Sequence, residues 1–235
     1  MTAAEFKYLT GELAGTGKPP AIGQKFTSGG EPLRFAGNTV LCRIDQASDA
    51  YTALFAAQQV LKAGPCADAF TFLPPASFHM TVFEGVNEQH RMADRWPQHL
   101  ATDVPLAATT LDFEIRLREV ALPNRFQIRP TGLFGGFSVR VAGASGVTAA
   151  ALRAARNDLS TVLNLRRPDH GTYEFHITLG YLLRWLTAAE ADQVIRLSGQ
   201  VAIDLIARQP KFDIGPVEFC TFETMQRFDP VMLLG

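Results

Sequence analysis

Two strings of this chain, Phe78-His79-Met80-Thr81-Val82-Phe83 and Phe175-His176-Ile177-Thr178-Leu179, stand at the end of the same order of elements, and that repetition limits the folds open to it. Val40-Leu41-Cys42-Arg43-Ile44 reads as a strand, about Asp49 to Lys62 as a helix stopped by Gly64-Pro65, and the first string as the next strand. Later, Phe137-Ser138-Val139-Arg140-Val141 reads as a strand, about Val147 to Leu163 as a helix, and the second string closes the unit. Arg43 precedes His79 by 36 residues and Arg140 precedes His176 by the same 36, which marks a candidate internal repeat.

Side chains alternate across a strand, so each strand of the repeat sorts into two faces. Val40, Cys42 and Ile44, then Phe78, Met80 and Val82, give apolar faces that can pack beneath a helix, and the second half repeats this with Val139, Val141, Phe175 and Ile177. The opposite face carries Arg43, His79 and Thr81 in one half and Arg140, His176 and Thr178 in the other. Further strands are expected at Asp112 to Val120, Arg125 to Arg129 and Val217 to Met225. A helix is expected from Thr187 to Leu197, with Thr187 as N-cap and Glu190 completing a capping box. The sum is an α+β protein with two antiparallel sheets and outer helices. Residues 1–36, with Gly15-Thr16-Gly17-Lys18-Pro19-Pro20 and Ser28-Gly29-Gly30, read as an irregular N-terminal extension with room for one short helix.

Composition narrows the chemistry. Lys and Arg total 22 against 23 Asp and Glu, so no global field is available to hold a long nucleic-acid backbone, and any phosphate must be recognised locally. Cys42, Cys66 and Cys220 are odd in number, far apart and without a C-x-x-C pair, which argues against a disulfide framework or zinc knuckle and fits a reducing cytoplasm. Met1 to Leu13 interleaves Glu5, Lys7 and Glu12 with apolar residues, unlike a signal peptide, and no apolar run approaches a membrane span. Gly15-Thr16-Gly17-Lys18 lacks the spacing of a Walker loop.

Each His-x-Thr puts an imidazole and a hydroxyl on the same side of one strand, with alpha carbons about 6.5 to 7 Å apart. If the two strands share a cleft, one phosphate meets two imidazoles and two hydroxyls. One neutral histidine can then accept a proton from the attacking oxygen while the other, protonated, donates to the departing one. The threonines would donate to the non-bridging oxygens. A histidine metal site fits less well, because no Cys or carboxylate stands at ligand spacing beside the two imidazoles. A binding module that holds a phosphorylated nucleotide without turnover is the rival reading, although permanently charged Arg would serve binding better than histidine.

The strings SFHMTVFEGV, from Ser77 to Val86, and YEFHITLGYLLRWL, from Tyr173 to Leu186, resemble the paired signature of the two-histidine (2H) phosphoesterase superfamily, in particular a bacterial branch known only as a domain of unknown function. The likeness runs from about Asn38 to Met225. It implies a pseudo-twofold, two-lobed α+β fold with a central cleft, residues 37–235 forming a single catalytic domain. It also implies catalytic roles for His79 and His176, phosphate contacts for Thr81 and Thr178, and no metal or other cofactor. Characterised relatives open 2',3'-cyclic phosphates, process RNA ends or ligate RNA halves, so the implied partner is a small phosphorylated nucleotide or RNA terminus. Both hydroxyl positions are Thr here, so the signature is intact.

Four further residues are candidates for the cleft. Arg43 and Arg140 hold matching places and would attract the phosphate. Phe83 continues the alternation past Thr81 and would stack on a base. His170, just before the second string, would fold over the mouth. His90 and His99 fall in a charged stretch and read as solvated.

Overall fold

A computed structural model describes residues 3–13, 17–135 and 137–235. Gly15 and Thr16 of the Gly-rich string lie outside the described residues. The chain runs through α1 (Ala3–Leu9), β1 (Gly37–Arg43), α2 (Asp49–Lys62), β2 (Phe70–Phe72) and β3 (His79–Asn87), then α3 (Leu106–Leu117), β4 (Phe126–Phe134) and β5 (Ser138–Gly143). It continues through α4 (Gly146–Val162), β6 (His176–Thr178), β7 (Gly180–Leu182) and α5 (Ala188–Arg208), and ends with β8 (Phe212–Ile214), β9 (Val217–Thr224) and β10 (Arg227–Leu233).

Among the described residues the large sheet has eight strands in the order β10-β9-β1-β3-β6-β5-β4-β8, and a second sheet pairs β2 with β7. All pairings are antiparallel. β3 and β6 meet in the middle, so each lobe contributes four strands. α2, followed by the short β2, lies between β1 and β3 in one lobe, as α4 lies between β5 and β6 in the other. The apolar faces anticipated for the repeat lie in one continuous core: Val40, Cys42, Met80 and Val82 pack with Val139, Val141, Phe175 and Ile177 beneath the helices. Both repeat helices start at a serine, Ser48 and Ser145, whose hydroxyl accepts from a backbone N–H in the first turn. Thr187 and Glu190 form the expected capping box at the head of α5, which runs on to Arg208.

The segment Asp112 to Val120 is not a strand. It lies mostly in α3, because Thr109, Phe113 and Leu117, four residues apart, are the positions buried, whereas Ile115, which completes the apparent alternation, is 55% exposed. The N-terminal extension is packed on the body: α1 lies against α5, and Ile22, Phe26 and Phe35 form an apolar cluster with Leu41, Leu73 and Cys220.

β3 is irregular. Val40 stands opposite Phe83 and Leu41 opposite Thr81, which leaves Val82 as an extra residue, and a second shift falls between Gly37 and Thr39. The half-buried positions of β3 are therefore His79, Thr81, Glu84 and Asn87 rather than every second residue. The bulge also frees the Val82 carbonyl, which accepts a hydrogen bond of 2.7 Å from Arg156 of α4. Arg156 is 2% exposed, its guanidinium lies 3.8 Å from the centre of the Tyr173 ring, and it ties the second lobe's helix to the first lobe's strand.

Replacing Arg156 with Met keeps the bulk and strands the Val82 carbonyl. A loss of about 1–3 kcal/mol is expected, the cost of an unsatisfied buried acceptor, seen as a lower urea midpoint at unchanged slope.

Candidate functional site

One residue pair sets the geometry of the site. Met80 of β3 is paired with Ile177 of β6, and both side chains are fully buried in the core. Their neighbours on each strand must then face the other way, so His79, Thr81, His176 and Thr178 emerge together on the opposite side of the sheet. All four line one cavity of about 310 Å³. Its walls include Lys25 and Phe35 from the N-terminal segment, Tyr181 just after β6, and Phe222 and Phe228 from the C-terminal hairpin.

The two imidazoles are held alike. His79 Nδ1 lies 2.7 Å from the Ser77 carbonyl oxygen, and His176 Nδ1 lies 2.9 Å from that of Glu174, in each case two residues upstream. A carbonyl only accepts, so Nδ1 carries the proton in both rings and Nε2 is the nitrogen left for a substrate. Their surroundings differ. The His79 ring packs 4.3 Å from the centre of Phe228, whereas His176 has Tyr173 as its aromatic neighbour at 6.0 Å. Burial lowers the His79 pKa to about 4, against the opposing bond to Ser77, and the nearby His176 and Arg43 lower it further. His79 is therefore neutral near pH 7.

The cross-strand register places Arg43 opposite His79 and Arg140 opposite His176, as the repeat requires. Neither arginine lines that cavity. Arg43 donates to Glu218 at 2.7 Å and to the Phe228 carbonyl, behind His79. Arg140 pairs with Glu174 at 3.3 Å and lies over the Phe134 ring, on the outer side of His176.

Phe83 is not on the cleft face. The bulge at Val82 turns it into the core, where it is 1% exposed, and Glu84 takes the place facing the cleft. His170 does not cover the mouth either. It is 5% exposed on the helix side of the sheet, with its Nε2 2.9 Å from Asn157 of α4 and its ring beside Phe83. His90, read as solvated, lines the cavity and makes an edge contact with Phe35, while His99 is paired with Asp112 at 2.8 Å. Lys25, Glu84, Arg95 and Arg167 add charged groups to the lining, and the sequence reading does not place them at the site. Only the Arg166-Arg167 pair just before Tyr173 offered a local signal. Among the described residues no group of three His, Cys, Asp or Glu is placed to hold a metal ion.

A two-lobed α+β sheet that brings two His-x-Thr strands together at a central seam defines the class of two-histidine phosphoesterases. The family described as 2H-phosphodiesterase, domain of unknown function (DUF1868), matches residues 25–135, which include His79 and Thr81. A crystal structure of a conserved protein of unknown function from Agrobacterium tumefaciens is similar over the whole chain: TM-score 0.93, 30% identity, and 100% coverage of both chains. This chain belongs to that two-histidine phosphodiesterase family. No curated protein matches it. Among the described residues, no helix is long and apolar enough to cross a membrane.

The lowered pKa of His79 couples the fold to pH. Between its unfolded value near 6.5 and its folded value of about 4, the unfolded chain binds the extra proton, so this contribution to stability is present above pH 6.5 and is lost as pH falls through that window. Urea titrations across pH 4 to 7 should show stability falling with acid, and His79→Gln should make that fall shallower.

Proposed function

We propose that this chain hydrolyses a cyclic phosphodiester, a 2',3'-cyclic nucleotide or the cyclic end of an RNA, by two-histidine acid–base catalysis without a metal. The observation that carries this reading is the pair of imidazoles, each anchored through Nδ1 to a backbone carbonyl and lining one cavity with both threonines. Anchoring fixes the tautomer and leaves Nε2 as the working atom on both sides.

The environments divide the roles. His79, kept neutral by burial, is the base: its Nε2 takes a proton from water as the water oxygen attacks phosphorus. His176 is the acid. Its Nε2–H protonates the ribose oxygen as the bond from that oxygen to phosphorus breaks, so a cyclic phosphodiester becomes a phosphomonoester beside a free hydroxyl. Afterwards His79 carries the extra proton and His176 lacks one, and exchange with solvent resets both. Thr81 and Thr178 donate to the non-bridging oxygens, where charge is greatest in the transition state. Phosphoryl chemistry needs chiefly positioning and such electrostatic support, and a rigid two-strand floor supplies both.

Incubation with the four 2',3'-cyclic nucleotides, followed by phosphorus NMR, should show a cyclic phosphate signal replaced by one monoester, with EDTA leaving the rate unchanged. His79→Ala and His176→Ala should each lower kcat by about a hundredfold to ten-thousandfold. Saturable binding with no turnover would instead mark a binding module.

The rate profile tests the role assignment. The rising limb of kcat/KM should have its midpoint near pH 4, where His79 loses its proton, and should vanish in His79→Ala. A rising limb that persists in that variant would contradict the assignment.

A further inference from the structure

The reacting phosphate needs only the two His-x-Thr pairs, yet the cavity they line goes on past them along β3 to Glu84 and Asn87. Among the described residues, three permanent cations, Lys25, Arg95 and Arg167, line it, against a single carboxylate, that of Glu84. This is a strong local excess in a chain whose net charge is −1. They are gathered in one place: all three lie close enough to His90 to hold its pKa down along with burial. His90 is thus neutral and adds no charge of its own.

These cations are poorly satisfied by the protein. The buried Nε atoms of Arg95 and Arg167 have no hydrogen-bond partner. Arg167 approaches Glu84 only at 3.4 Å and Asp169 at 3.8 Å, although its side chain is just 11% exposed. Lys25 lies over the rings of Phe35 and Tyr181, at 5.2 and 5.0 Å, in place of a carboxylate. Arg43, by contrast, makes a 2.7 Å bond to Glu218. A buried guanidinium nitrogen left without an acceptor is costly, and a bound anion that accepts from it removes that cost.

Position gives the spacing. Thr81 and Glu84 stand opposite Leu41 and Thr39, two residues apart on β1, so the bulge leaves about 7 Å between them along the sheet, and Arg167 reaches Glu84. That separation is the span of a nucleoside, too long for a second oxygen of the same phosphate. Phe222, Phe228 and Tyr181 line the same cavity and offer apolar faces for a sugar or base.

We propose that the far end of the cleft is a second anion subsite, built by Lys25, Arg95 and Arg167, which binds a second phosphate of the substrate one nucleoside away from the reacting phosphate. This rests on the phosphoesterase reading above and narrows its substrate class. A nucleotide phosphorylated at both ends and an oligonucleotide end each offer such a group. Guanidinium forks suit phosphate oxygens in particular, because two parallel N–H bonds can be made to one group.

Calorimetry with stable product-like ligands tests this without relying on turnover. Uridine 3'-monophosphate, uridine 3',5'-bisphosphate and the 3'-phosphorylated dinucleotide UpUp would be titrated into the full chain. At least tenfold tighter binding of a ligand with a second phosphate is expected. Tighter binding of the bisphosphate alone would identify a doubly phosphorylated nucleotide, and of UpUp alone an oligonucleotide end. Arg95→Gln, Arg167→Gln and Lys25→Gln should each shrink the advantage several-fold. Lys25→Gln, at a half-exposed position, keeps the test intact should a buried arginine variant fail to fold. Equal affinity for all three ligands would overturn the subsite, as would an advantage that survives all three substitutions. The corresponding 2',3'-cyclic substrates, assayed in parallel, read the phosphoesterase activity separately: no turnover with the binding difference preserved would sink the enzyme reading and keep the subsite.

Discussion

The site depends on an edge-to-edge junction between two lobes that is only one paired residue deep. Met80 and Ile177 face each other across β3 and β6, with their side chains in the core. Because neighbouring residues on a strand point to opposite faces, burying these two sends the flanking histidines and threonines to the other side together. Short junctions between sheets are weak alone, and here other groups brace it from below. Arg156 reaches from the second lobe to the Val82 carbonyl, and Gln58 of α2 donates to the carbonyls of both Leu73 and Leu179. The core beneath is shared, so neither lobe can shift without disturbing the packing of the other.

Symmetry of the backbone does not carry over to the electrostatics. Both rings are anchored through the same bond, yet His79 sits against Phe228 with a guanidinium behind it, and His176 lies nearer the rim with Arg140 tied to Glu174. The C-terminal hairpin of β9 and β10, which has no copy of its own in the repeat order read from sequence, packs Phe228 against the His79 ring.

Much of this was legible in the residues. Alternating polarity located the four repeat strands, and equal spacing from Arg43 and Arg140 to the histidines matched their cross-strand registers. Alternation failed where the backbone departs from it: nothing in Val82-Phe83-Glu84 announces a bulge, so Phe83 was expected on the wrong face. It also misled at Phe113, Ile115 and Leu117, where a two-residue period and a four-residue period coincide over a short window and only burial separates them. β2, β7 and β8 are three residues long, too short to show a pattern, and β10 contains Pro230, which an edge strand tolerates and a sequence reading discounts. The cations of the cleft come from loops and separate regions, brought together by tertiary folding alone.

The N-terminal segment forms part of the enclosure as well as of the packing. Phe26 and Phe35 are buried in the cluster beside the cleft, and Lys25 contributes to its wall. A chain trimmed to start at the first repeat strand would retain every group assigned to bond cleavage. It would also stand open to water along one side, with Leu41 and Cys220 of that cluster uncovered. Shelter and reactivity are thus drawn from different stretches of the polypeptide, and one could be altered while the other is left as it stands.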